Sequence, residues 1–378
     1  MQLIVELQLN VLQRKLHREM TEESATMSDL STAVTTQQDD KTQTTNGGGM
    51  TSQSSDLEFY FACAVVVIGV VGTAGNAVVL YALVASKQHK KLVLIVNQNA
   101  LDLFSSFFLV ICYVVKLCNV YLTGAVGHWL CLTLVGESLI WLGTNGSIIN
   151  LASITIERYL KVVHPIWSRK KMSPWMIYSA MAFSWLVGIV YNITLAFETS
   201  RVVDGVCYSY TFFRGTVDIW ANNIWYVSFF YVNIIAIFVF CYGSILVAIR
   251  RQASVMADHG SAGTSTAPPQ MTQIQTNVIK TMILVCAFYA ATRLPTNVYV
   301  MLMMLKYIST IVDGRFYACI FIAFLYTTMN PFIYATKFDP VKQVLRGIIP
   351  CKKTSVEPTD GPGSAGTTGT RKHLDERF

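Results

Sequence analysis

The chain has 378 residues, 53% of them hydrophobic and only 13% charged, with a formal net charge of +7 and a mean hydropathy of +0.44. So little charge beside so much apolar surface excludes an ordinary water-soluble domain, and basic residues spread in short runs between apolar segments exclude a nucleic-acid-binding face. Nine cysteines and six histidines are scattered, with no C-x-x-C and no metal-ligand spacing, which excludes a zinc or redox centre.

In chain order, residues 1 to 56 are rich in Ser, Thr, Gln and Asp and read as a disordered tail. Within it Leu3, Ile4, Val5, Leu7, Leu9, Val11, Leu12 and Leu16 alternate loosely with Arg14, Lys15 and Arg18, an order reversed from that of a cleaved leader. A short helix fits, as does a later start at Met20, Met27 or Met50. Seven apolar segments follow within residues 57 to 338, near 59–85, 92–116, 130–163, 174–198, 217–249, 274–305 and 313–337. Each approaches or exceeds the roughly 20 residues needed to cross about 30 Å of hydrocarbon. Such long, non-alternating segments satisfy their backbone in lipid only as helices. The predicted fold is therefore an all-α integral membrane protein, a seven-transmembrane helix bundle.

Lys87, Lys90 and Lys91 follow the first segment, Arg169, Lys170 and Lys171 the third, and Arg250 and Arg251 the fifth. Lys337, Lys342, Arg346, Lys352 and Lys353 follow the seventh, so the positive-inside rule places the N-terminus outside. Residues 252 to 273, with Gly260, Gly263, Pro268 and Pro269, read as a cytoplasmic linker. Residues 339 to 351 read as a short amphipathic helix on the inner leaflet, an eighth helix, with Val341, Val344, Leu345, Ile348 and Ile349 toward lipid. Residues 352 to 378 read as a disordered cytoplasmic tail.

Charges inside the membrane are costly unless paired or wetted, and they mark function. Asp102, Glu137 and Arg293 lie well inside segments two, three and six, and Glu157 and Arg158 close segment three. Gly75-Asn76, Asn97, Asp102, Glu157-Arg158-Tyr159, Trp185, Tyr242, Pro295 and Asn330-Pro331-Phe332-Ile333-Tyr334, in order and each on its proper segment, make the chain resemble the rhodopsin-like (class A) G-protein-coupled receptors over about residues 59 to 351.

The resemblance implies a plasma-membrane receptor that binds an extracellular ligand and activates a heterotrimeric G protein. Arg158 would be held by Glu157 at rest and released to meet the G protein, stabilised by Tyr242 and Tyr334. Pro165 and Ile166 resemble the loop pair that docks into the G protein. Asp102, Ser147 and Asn330 resemble a sodium pocket, with polar glue between helices as the plainer reading. Cys131 and Cys207 resemble the extracellular disulfide, although Cys131 to Arg158 is two residues longer than usual and Cys118 is a competitor. Cys351 is a lipidation candidate, and Ser355, Thr359, Ser364, Thr367, Thr368 and Thr370 are candidate phosphosites for arrestin.

The chain also departs from the family. Arg293 stands where relatives carry a tryptophan, Ile234 where segment five carries a proline, and segment two has no proline. At roughly 20 Å from either end of its helix, Arg293 cannot snorkel. By depth Asp102 is its expected partner, and that pair would place a positive charge where sodium would sit. The rival reading leaves Arg293 at the floor of a wet cavity, binding an anionic group.

Ile140 replaces the aspartate of amine receptors, and segment seven lacks a Schiff-base lysine, so neither a monoamine nor a retinal cofactor is expected. A pocket lined by Glu137, Trp141, Thr144, Arg293, Asn297 and Tyr326 makes a peptide the first candidate ligand. Asn145-Gly146-Ser147 and Asn192-Ile193-Thr194 match the glycosylation pattern but lie in or near the membrane. A secondary transporter is the alternative from another class, disfavoured by the lack of an internal repeat, and a non-coupling decoy receptor is a third. No phosphate loop, H-E-x-x-H or nucleophile elbow points to an enzyme.

Overall fold

The computed structural model describes residues 49–87, 89, 92–209, 216–259, 273–305, 307, 308, 314–337, 341, 342 and 344. Seven of its helices are long and apolar enough to cross a membrane: Asp56–Ala85, Val93–Leu117, Ser138–Val163, Pro174–Thr199, Trp220–Arg251, Ile279–Met304 and Gly314–Thr336. These are the first to seventh spans below. The third is the central helix, with 83% of its most apolar stretch buried against 28–50% for the others. The outer faces carry exposed Val67, Leu186, Val239 and Phe240, side chains that a soluble protein would cover.

Three helices run past their apolar segments. The first begins at Gly49, the fifth continues to His259 and the sixth starts at Gln273. The expected N-terminal tail before residue 49, most of the surface helix, Cys351 and the phosphosite tail lie outside the described residues. Val341, read as lipid-facing, is fully buried against the core.

The segment predicted over 130–163 is not one continuous helix. A short helix, Gly124–Leu130, runs into a π-helical turn, Cys131–Val135, and Ser138 opens the third span after a break at Gly136-Glu137. Glu137 adopts a left-handed conformation, φ 58°, a strained choice for a residue with a side chain. The two extra residues between Cys131 and Arg158 are absorbed by this wider turn and break. A second π-turn, Ser228–Val232, interrupts the fifth span just before Ile234, so that helix is irregular without a proline.

Between spans four and five, strands β1 (Arg201–Val203) and β2 (Val206–Tyr208) form an antiparallel hairpin. Its two-residue turn, Asp204-Gly205, has positive φ at both positions, and Tyr121 packs so closely over Gly205 that no larger residue fits. Cys131 and Cys207 are disulfide-bonded, Cα atoms 5.3 Å apart, which ties β2 to the head of the third span. Cys118 is a free thiol.

Candidate functional site

At the end of the third span that carries the basic loops, the Arg158 guanidinium lies 3.2 Å from the Glu157 carboxylate, which also receives Lys161 at 2.5 Å. Tyr242 does not engage Arg158 in this arrangement. Its hydroxyl accepts from Thr155 at 3.3 Å, with the Cys286 thiol 3.9 Å away. Tyr334 is buried with its hydroxyl unpartnered. Neither tyrosine is bonded to Arg158. Tyr159 turns outward to His164 at 3.2 Å. Pro165 opens a short helix, Pro165–Lys171, whose basic last turn complements the helix dipole, and Ile166 projects from it 72% exposed.

Midway through the bundle, Asp102, Ser147 and Asn330 converge as expected. Ser147 donates to one Asp102 oxygen at 2.6 Å and Asn330 to the other at 2.7 Å. Gln98, one helical turn from Asp102, adds a third donor at 3.4 Å and also bonds Ser147 and the Tyr326 hydroxyl. The cluster extends through Asn150, which donates to Gln98, and Asn97, which donates to Asn150 and accepts from Trp185 Nε1 at 3.0 Å. Asn76 ties the first span to the Thr327 carbonyl of the seventh. Both Asp102 oxygens are thus taken by N–H and O–H donors, with an amide wedged among Asp102, Ser147 and Tyr326. In this arrangement no carboxylate oxygen of Asp102 is left without a donor, while Asn330 Oδ1 is buried without a partner.

The expected Arg293–Asp102 pair is not formed. Arg293 lies over the rings of Trp141, at 5.2 Å, and Tyr326, at 5.9 Å, and no ion pair reaches it among the described residues. Depth alone suggested the pair, but Tyr326 is bonded into the Asp102 cluster by its hydroxyl and presents its ring to the arginine, so it stands between them.

Above Tyr326 a narrow cleft opens among spans three to seven. Of the six expected pocket residues, Trp141, Arg293 and Asn297 line it. Thr144 instead faces the second span, sharing a hydrogen bond with Ser105 at 2.8 Å. Tyr326 is fully buried beneath, and Glu137 is held away by an ion pair with Lys116 and an N–H from Trp141 at 3.1 Å. Sequence reasoning missed the rest of the lining, chiefly Asn145, Asn192, Asn222, Tyr191 and Tyr226. Asn145 donates to Asn192 at 3.2 Å and accepts from Tyr226 at 3.3 Å, so the two glycosylation-pattern asparagines are bonded to each other inside the bundle.

The 7 transmembrane receptor (rhodopsin family) model matches residues 75–334, from beside Asn76 to Tyr334. The chain belongs to this family. A crystal structure of squid rhodopsin superposes with a TM-score of 0.61 over 77% of this chain and 85% of that one, at 18% identity, a likeness of fold. No curated protein sequence matches. As a family member the chain is a multi-pass membrane receptor, with a rhodopsin-like bundle and the Cys131–Cys207 bridge in place.

Proposed function

We propose that this receptor sits in the plasma membrane with its N-terminus outside, binds an extracellular ligand in the cleft above Tyr326, and activates a heterotrimeric G protein through the Arg158 face. The observation that carries the reading is the buried Glu157–Arg158 pair, 3.2 Å long, with the hydroxyl of buried Tyr242 bonded to Thr155 one turn before Arg158. An unpaired guanidinium at that depth is poorly solvated, so its release needs a new partner. Tyr242 and Tyr334 supply hydroxyls for it once the sixth span swings outward, and exposed Ile166 with Pro165 supplies the docking point beside it.

The chemistry runs from the cleft downward. A ligand that moves Trp141 or Arg293 presses on Tyr326, whose hydroxyl is 3.1 Å from Ser147, which bonds Asp102, which in turn accepts from Asn330. Asn330 precedes Pro331 and lies one turn before Tyr334, which links ligand to coupling face through side chains already in contact. A peptide inserting one end into the cleft is the ligand proposed, with arrestin recruited to the phosphorylated tail and Cys351 lipid-anchored.

Ligand-independent nucleotide exchange on a panel of G proteins tests the coupling. Exchange with the wild-type chain, lost in Arg158→Ala at equal surface expression, supports it. Identical exchange in both contradicts it.

A further inference from the structure

We infer that the cleft floored by Arg293 recognises a carboxylate, so the ligand class is an organic acid or a peptide with a free C-terminus. The inference rests on the receptor reading above and deepens it. The Arg293 side chain is only 5% exposed, its Nε is buried without an acceptor, and it borders the cleft. A buried cation without a counter-charge is strongly disfavoured unless it is paired or wetted. The faces of Trp141 and Tyr326 offset part of that cost but accept no hydrogen bond in the guanidinium plane.

Neither intramembrane acid serves as the missing partner. Asp102 is saturated by Ser147, Asn330 and Gln98, and Glu137 is held by Lys116 and Trp141. Among the described residues the cleft lining contains no aspartate or glutamate, so the field that Arg293 sets there is positive and disfavours an amine ligand. Arginine's planar fork matches a carboxylate bidentately. Around it Asn145, Asn192, Asn222 and Asn297 offer amide donors and acceptors, and Tyr191 and Tyr226 offer ring faces, the lining expected for an acid whose body carries amide or hydroxyl groups.

The test uses the purified full-length receptor in lipid nanodiscs, with thermal unfolding as readout. Two matched probe sets are compared: small aryl and alkyl carboxylic acids against their primary amides, and tripeptides with free C-termini against the same tripeptides amidated. At least one acid is expected to raise the unfolding midpoint while its amide does not, and the set containing it tells free acid from peptide terminus. Arg293→Gln is expected to weaken that acid's apparent affinity about 10- to 100-fold, the worth of a charge-assisted hydrogen bond, whereas Arg293→Lys keeps the preference for acid over amide. Should Arg293→Gln fail to fold, the wild-type and Arg293→Lys comparison of acid with amide decides. The inference is overturned if no acid stabilises the wild type, if amides stabilise equally, or if Arg293→Gln leaves the affinity unchanged. Binding is read without G protein, so silent nucleotide exchange beside an Arg293-dependent shift would remove the coupling reading and leave the carboxylate site standing.

Discussion

Gly188 in the fourth span packs against the third span where the cleft begins, one turn before Asn192. A Cβ at this position would lie 2.5 Å from the Leu142 carbonyl oxygen and 3.3 Å from the Gly146 nitrogen, both backbone atoms that no rotamer change moves aside. Small residues let membrane helices approach this closely, and Gly188→Ala must push the two helices apart by about 0.9 Å to reach ordinary contact. Overpacking of this kind costs about 1–3 kcal/mol, which for a domain of this size lowers the unfolding midpoint by roughly 2–12 °C. Gly243, in the fifth helix, is the control, because nothing lies within 4 Å of its would-be Cβ and it is exposed. Gly243→Ala should be neutral or stabilising by about 0.5–1 kcal/mol through helix propensity. The two variants are compared by thermal unfolding in the same detergent. Opposite signs are expected, and an unchanged midpoint for Gly188→Ala would refute the close packing that sets the cleft's floor.

Cys207→Ala opens a bridge spanning 76 residues and should cost about 4 kcal/mol, read as lost surface expression and a lower midpoint. Cys118→Ala, which removes a free thiol, should leave both unchanged. Glu137→Gln strands Lys116 and should destabilise by about 1–3 kcal/mol; in a double-mutant cycle, Lys116→Met should recover part of that loss, and strict additivity would show the pair to be idle. Tyr326→Phe deletes the hydroxyl shared with Ser147 and Gln98 and should cost about 1–2 kcal/mol by thermal unfolding while keeping the ring under Arg293. Sodium titration of the wild type should leave its midpoint where potassium does, since N–H and O–H donors fill the Asp102 oxygens.

The seven spans were legible because lipid forces long apolar runs, and most of their bounds fall within a few residues of the helices seen; the first helix begins ten residues earlier, the third eight later, and the fifth runs ten further. Asp102, Ser147 and Asn330 meet because each sits on the helix and at the depth where the family pattern puts it. The extra length before Arg158 was visible as a count, but a count does not say where residues go, and the π-turn and the left-handed Glu137 absorb them locally. The Arg293–Asp102 pair failed because depth fixes one coordinate only. Gln98 stands four residues from Asp102 and hence on the same helix face, a readable sign that the carboxylate had a nearer donor. Asn145 and Asn192 were noticed as glycosylation patterns, yet their meeting across two helices is a tertiary fact that neither local pattern contains. Asn222 and Tyr226 precede the irregular turn of the fifth span, where helix periodicity gives no reliable facing.

The most direct test of the account is nucleotide exchange by a G-protein panel with wild type and Arg158→Ala at matched surface expression. The account predicts exchange above that of mock membranes for at least one G protein, abolished when Arg158 is removed while folding and surface display are kept. Exchange that survives Arg158→Ala, or none from the wild type even with a cleft-binding acid present, would contradict it.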